Sequence, residues 1–136
     1  MGDWRDNLVE SDAELAAILA DTRRIAVLGI KPEARRGQPA FYVPEYMAEA
    51  GYDIVPVPVY YPDVSLILGK PVYRRLAEIP EPVDMVNVFR RPRDIPPHLP
   101  DILASKPRVV WMQLGISHAA TAEALAHAGI RVVQDR

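Results

Sequence analysis

Two short basic clusters carry the clearest chemical potential in this chain. Lys31, Arg35 and Arg36 form one, and Arg90, Arg91 and Arg93 form the other. Cations at this density suit an anion, and the planar guanidinium fork matches phosphate oxygens in pairs. Each cluster follows an apolar run. Arg24-Ile25-Ala26-Val27-Leu28-Gly29 precedes the first, and Asp84-Met85-Val86-Asn87-Val88-Phe89 precedes the second. A buried strand running into a glycine turn is the usual opening of a nucleotide-binding βα unit. A lone basic triplet is more often a solvated loop. Its position directly after the first strand favours phosphate binding here.

The glycines of a dinucleotide fold are nevertheless missing. The second and fifth positions after Gly29 hold Lys31 and Ala34, in the run Ile30-Lys31-Pro32-Glu33-Ala34-Arg35-Arg36-Gly37-Gln38-Pro39. NAD-binding folds usually place Asp or Glu at the end of the second strand, against the ribose hydroxyls. This chain has Pro58, Val59 and Tyr60 there. The basic loop therefore suits a phosphate-rich ligand but not the standard NAD grip. Tyr60 or Tyr61 could offer a flat face to an adenine ring; the alternative is that both merely cover a sheet end.

The search for catalytic groups is thin. His98, His118 and His127 are scattered and read as helix-surface or helix-start residues. There is no HExxH, GxSxG or GxxxxGK[ST] pattern. The chain has no cysteine, which excludes disulfides, thiolate metal sites and a cysteine nucleophile. Asp84 and Asp135 fall at opposite ends of different strands, and Trp111 and Met112 read as core.

The elements that must position the basic clusters follow from periodicity. Ser11-Asp12-Ala13-Glu14 has the form of a capping box, with Leu15, Ile18 and Leu19 at helical spacing behind it. A short helix over about 11–21 is predicted. Val43, Met47 and Ala50 fall on one face of a second helix, with Pro44 tolerable only in its first turn. Gly51 ends that helix, and Asp53–Val57 is the next strand. Two further strands are Asp84–Phe89 and Val109–Gln113, joined by a helical stripe of Leu99, Ile102 and Leu103. Ser117 is the expected cap of the last helix, which closes through Gly129 into Ile130–Val133. A short element near 71–73 and a helical turn near 74–78 fill the middle.

Strands of about five residues alternating with helices predict an α/β fold, a Rossmann-like doubly wound, mainly parallel sheet of about five strands. Ligands of such sheets sit at the carboxyl ends of the strands. That edge gathers Gly29 and the basic loop, then Pro58-Val59-Tyr60-Tyr61-Pro62, then Phe89-Arg90-Arg91-Pro92-Arg93, then Gln113-Leu114-Gly115-Ile116-Ser117. Gly115 would allow close backbone approach of a ligand; the alternative is a plain turn glycine.

At 136 residues and a net charge of −2, the chain is expected to be one domain over 1–136, with 1–10 as an N-terminal extension. The charge argues against a general nucleic-acid binder. No apolar run approaches the roughly 20 residues that span a bilayer, and Met1-Gly2-Asp3-Trp4-Arg5-Asp6 lacks the pattern of a signal peptide, so a cytoplasmic location is the default.

These blocks, in this order, resemble the small bacterial and archaeal CoA-binding proteins. The residues that carry the resemblance are Ile25–Gly29, Tyr42-Val43-Pro44-Glu45-Tyr46-Met47, Gly51–Val57, Val83–Arg90, Trp111–Ile116 and Val132–Arg136. That family is similar to the CoA-binding domain of the succinyl-CoA synthetase alpha subunit. The resemblance implies coenzyme A, or an acyl-CoA, held at the strand ends. It maps ligand contacts onto Ile30, Lys31 and the stretch to Arg36, onto Val57–Tyr60, onto Val88–Arg90 and onto Gln113–Gly115. Family members usually show Asn-Pro or Ser-Pro after the second strand, where this chain has Val57-Pro58-Val59-Tyr60. The synthetase's ligase partner and phosphorylated histidine lie outside this region, so its reaction is not implied.

The leading expectation is a CoA or acyl-CoA binding module acting as sensor, carrier or regulator, without chemistry of its own. The cofactor-binding set comprises Gly29, Ile30, Lys31, Arg35, Arg36, Pro58, Tyr60, Phe89, Arg90, Arg91, Pro92, Gln113, Gly115 and Ile116, with the pantetheine arm over Phe89, Pro92 and Ile116. An enzyme acting on a CoA thioester is the alternative and would draw on Gln113, Ser117 or His118. An NADP-binding protein is a third. Analogy with small Rossmann-like domains allows a homodimer, and a carrier or regulator allows an unidentified protein partner.

Overall fold

Five apolar segments lie side by side in one parallel sheet, in a computed structural model that describes residues 3–136. Met1 and Gly2, which opened the N-terminal reading above, lie outside the described residues. The elements run α1 (Asp12–Asp21), β1 (Arg24–Leu28), α2 (Pro39–Glu49), β2 (Asp53–Val57), β3 (Leu66–Ile67), β4 (Lys70–Pro71), β5 (Met85–Val88), α3 (Leu99–Ser105), β6 (Val109–Met112), α4 (Ala119–His127) and β7 (Arg131–Val133). The sheet order is β2-β1-β5-β6-β7, and every neighbouring pair is parallel. This is one of the common doubly wound orders, and its direction of winding reverses between β1 and β5. The short element expected near 71–73 is a hairpin, β3 against β4.

The strands bury both faces, as parallel strands between helices must. Ala26, Leu28, Val86, Val88, Val110, Met112 and Val132 pack with Ile102 of α3 and Ala122 and Leu125 of α4. Their neighbours Ile25, Val27, Ile54, Met85, Val109, Trp111 and Val133 pack with Leu15 and Ile18 of α1, and with Met47 and Ala48 of α2. Trp111 and Met112 are core, as expected.

The N-terminal extension is part of the sheet edge. Leu8 bridges Val132 in parallel, the Val9 amide donates to the Val132 carbonyl at 2.9 Å, and Asn7 Nδ2 donates to the Ala126 carbonyl at 2.8 Å. At the opposite edge, Pro56 sits in β2, and its carbonyl accepts the Tyr73 amide at 3.0 Å. A proline on an edge strand removes a donor that another chain could pair with.

Three local expectations are corrected. Ser11 caps α1 by accepting the Glu14 amide at 3.2 Å, but Glu14 meets the Ser11 hydroxyl rather than its amide, and its other oxygen pairs with Arg131 at 3.1 Å. Pro44 lies in the second turn of α2, because the helix opens earlier, at Pro39. The buried face is Ala40, Phe41 and Pro44, while Val43 and Met47 are half-buried and Ala50 is exposed. Burial of the large Phe41 ring sets that phase. The cap of α4 is His118, not Ser117. An imidazole nitrogen that accepts a proton serves as well as a hydroxyl at that position.

Candidate functional site

The carboxyl ends of β1 and β5 meet at Gly29 and Phe89. The parallel ladder runs one residue past each strand: the Phe89 amide donates to the Leu28 carbonyl at 2.9 Å, and the Gly29 amide to the Val57 carbonyl at 2.9 Å. Gly29 has φ +89°, and a Cβ there would overlap the Phe89 carbonyl oxygen. The glycine is thus required by the packing of two strand ends. The Arg90 side chain crosses the same point, with Cδ 3.2 Å from where that Cβ would sit.

The basic loop is held from three sides. Pro44 has no amide to give the Ala40 carbonyl, which instead accepts the Lys31 amide at 3.1 Å. Lys31 Nζ donates to Gln38 Oε1. Glu33 Oε2 accepts the Leu68 amide at 3.0 Å, joining the loop to the β3–β4 turn. Ile30 is fully buried, so only its backbone faces the edge. Arg35 and Arg36 are exposed at a single 3-10 turn.

After β2, Pro58 is buried and Tyr60 is 70% exposed. The Tyr60 and Tyr61 rings meet edge to face, with centroids 5.2 Å apart. Tyr61 has φ +62°, a conformation costly for a bulky residue. Arg74 holds the loop in place: its guanidinium donates to the carbonyls of Tyr60, Tyr61 and Val64 at 2.9, 2.9 and 2.8 Å. Sequence reasoning missed Arg74. Only the hint of a helical turn near it was available.

After β5, Phe89 and Arg90 are half-buried, while Arg91, Pro92 and Arg93 are exposed. Arg90 Nε donates to His98 Nε2 at 3.2 Å. Burial pushes the His98 imidazole below its ordinary 6.5; the Arg90 charge acts in the same direction, and Asp101 and Asp94 oppose it. After β6, Gln113 Nε2 donates to Oδ1 of the buried Asn87 at 2.7 Å, and Asn87 Nδ2 faces the Met47 sulfur at 3.6 Å. Gly115 is exposed, and its amide donates to Asp135 Oδ1 at 2.6 Å. The Asp135 amide donates to the Ile116 carbonyl at 2.9 Å, and the His118 amide to Gln134 Oε1 at 2.9 Å. The C-terminal residues thus brace the loop that follows β6. His118 Nδ1 is taken by the Thr121 amide at 3.2 Å and the Thr121 hydroxyl at 2.8 Å.

The topology therefore brings the predicted clusters to one edge, and that edge suits a polyanion. Several arginines elsewhere are paired, Arg24 with Asp53 at 2.9 Å, Arg108 with Asp84 at 2.7 Å and Arg131 with Glu14 at 3.1 Å, while Arg23 and Arg75 stand singly among the described residues and Arg74 bonds backbone carbonyls. Among the described residues, Arg35, Arg36, Arg91 and Arg93 make no ion pair. Such open cations fit a ligand with a diphosphate and a monoester phosphate.

A cleft of about 160 Å³ lies elsewhere, along the outer edge of β2. Its polar groups Arg24, Asp53 and Glu81 already bond one another. Among the described residues, no three of the His, Cys, Asp and Glu side chains are grouped to hold a metal ion. No described helix is long and apolar enough to cross a membrane.

Known proteins are similar to this chain in sequence and in fold. The chain is 34% identical over 125 residues to the uncharacterized protein YneT of Bacillus subtilis (strain 168), spanning 92% of this chain and 89% of that one. A Thermus thermophilus protein designated cell-free ID.343 superposes with a TM-score of 0.84 at 41% identity, covering 93% of this chain and 92% of its own. A hypothetical protein from Pyrococcus horikoshii OT3 superposes with a TM-score of 0.83 at 27% identity, covering 93% and 86%. Residues 23–136, which hold every strand of the sheet and all four of its loaded carboxyl ends, match the CoA binding domain family. The chain is a member of that family, whose ligand is coenzyme A or an acyl-CoA.

Proposed function

We propose that this chain binds coenzyme A or an acyl-CoA across the carboxyl ends of β1, β2, β5 and β6, as a binding, carrier or regulatory module without chemistry of its own. The observation that carries this reading is the clustering of Lys31, Arg35, Arg36, Arg90, Arg91 and Arg93 in the two loops at the edge where the winding reverses. Lys31, Arg35 and Arg36 hold the 3′-phosphate or the diphosphate. Arg90 and Arg91 add charge from the neighbouring strand end. Tyr60 faces the adenine, and Phe89, Pro92 and Ile116 line the path of the pantetheine arm, with Gln113 and Gly115 beside it. Ile30 and Pro58 shape the floor through backbone and packing. The alternative, an enzyme acting on a CoA thioester, would draw on Gln113, Ser117 or His118, of which Gln113 Nε2 and His118 Nδ1 hold structural bonds.

The test is isothermal titration calorimetry with CoA, dephospho-CoA and NADP in parallel. Micromolar CoA binding, weakened without the 3′-phosphate and with NADP silent, supports the reading. No CoA binding, or a preference for NADP, overturns it. Lys31→Ala and Arg36→Ala then locate the phosphates. A larger loss on CoA than on dephospho-CoA marks the 3′-phosphate, and equal losses mark the diphosphate. Loss on neither ligand removes the basic loop from the site. Each charge-assisted contact is worth about 1.5–3 kcal/mol.

A further inference from the structure

The Arg90 guanidinium differs from the other arginines of this edge because it is half-buried and already oriented. Its stem lies over Gly29, where the absence of a Cβ makes room for it. Its Nε donates to His98 Nε2 at 3.2 Å. With Nε2 accepting, the proton of the neutral ring sits on Nδ1. One edge of the guanidinium fork is thereby occupied, and both terminal nitrogens remain for a ligand at the point where the winding reverses between β1 and β5. Arginine loses less rotamer freedom on binding when its plane is already set.

We propose that His98 is a positioning residue, whose neutral ring holds Arg90 with its two terminal nitrogens presented to the diphosphate of a CoA-type ligand. This rests on the binding reading above and goes beyond it, because His98 itself touches no ligand. A protonated imidazole cannot accept from Nε, and it would repel the guanidinium beside it. The charged groups that face His98 are Arg90 from the loop after β5, Asp94 from the turn that follows, and Asp101 from α3. Asp101 is itself engaged by the amides of Leu76 and Ala77, at 2.7 and 3.0 Å. Burial and Arg90 outweigh the two carboxylates, so the ring stays neutral near pH 7 and charges only below its ordinary 6.5.

Dephospho-CoA is the probe, because it has no monoester phosphate of its own to titrate near neutral pH. Its affinity is measured by calorimetry between about pH 8 and about pH 5 for the wild type, His98→Gln and His98→Leu. Wild-type affinity is expected to fall below pH 6.5 as the ring takes up a proton, by roughly tenfold once it is charged, which is the loss of one charge-assisted contact. His98→Gln keeps an acceptor for Arg90 and does not titrate, so it is expected to bind at the wild-type level near pH 8 and to stay flat. His98→Leu is expected to bind roughly tenfold more weakly at every pH. Circular dichroism at each pH confirms the fold, and if His98→Leu does not fold, the Gln variant decides alone. His98→Leu binding at the wild-type level near pH 8, or a wild-type slope retained in His98→Gln, overturns the role of His98 while leaving the binding reading standing. Absence of both CoA and dephospho-CoA binding by the wild type at pH 8 overturns both.

Discussion

The Gly29 backbone touches the Phe89 carbonyl so closely that a single methyl group on Gly29 would overlap it. Gly29 opens the basic loop, and its position invites a reading as a phosphate-cradling glycine. Its immediate physical role is to let the ends of β1 and β5 close. Gly29→Ala must either part these strand ends or distort φ from +89°, so it is expected to lower stability by about 2–4 kcal/mol. A urea titration reads this directly. Near-wild-type stability with lost CoA binding would instead assign Gly29 to the ligand.

Arg74 gathers the carbonyls of Tyr60, Tyr61, Pro62 and Val64 onto one guanidinium. Arg74→Met keeps the length of the stem and removes both donating nitrogens. Amide exchange around Tyr61–Val64 is expected to rise by about tenfold or more while the β1 and β5 amides stay protected. Unchanged exchange in that loop would show that the chain there holds its shape without the clamp.

Asp84 anchors the opposite end of the sheet. Its carboxylate accepts the Arg23 and Arg24 amides, each at 3.0 Å, and pairs with Arg108 at 2.7 Å. Burial pushes its pKa up, but the amides and the Arg108 guanidinium outweigh that, and the net direction is below the ordinary 3.8. A depressed carboxyl stabilises the fold above the unfolded-state value, and that stability is lost as the pH falls below about 4 toward the folded value. Asp84→Asn is therefore expected to cost about 1–2 kcal/mol at neutral pH. It should also flatten the loss of stability in acid. Parallel acid profiles for the two proteins would refute the assignment.

Asp135 braces the loop after β6 from a left-handed backbone conformation, φ +57°. Asn adopts that conformation readily and keeps an acceptor for the Gly115 amide; Ala does neither. Asp135→Ala is expected to speed exchange of the Gly115 amide roughly tenfold, with Asp135→Asn close to wild type. Equal effects of the two substitutions would mean that the side-chain contact at 2.6 Å carries no weight.

Much of the scaffold is legible in the residues. Asp53–Val57 is a strand with those bounds because a continuous apolar run between a helix-ending glycine and a proline-rich turn has few other readings. The β3–β4 hairpin is not legible: its strands are two residues each, and Leu66 is exposed, so no alternation marks them. Pro44 violates the local rule that confines proline to the first turn. The violation is tolerated because a distant amide, that of Lys31, takes the carbonyl that the proline leaves unserved. Nothing within the helix itself could reveal that partner.

The site divides the same way. Apolar runs followed by cations, in the order of a βαβ chain, were enough to determine a parallel sheet with basic loops at its carboxyl edge. The match across residues 23–136 accords with the family those blocks resemble. Only the tertiary structure decided which cations are held and by what: Lys31 by Gln38 and the Ala40 carbonyl, Arg90 by His98, and the Tyr60 loop by Arg74. Hydrophobic periodicity is a local signal, repeated along every element, so the sequence displays it. Each of these polar contacts is a single hydrogen bond or a small set of them across a loop, fixed by the packing of elements around it, and it leaves no period in the sequence to read.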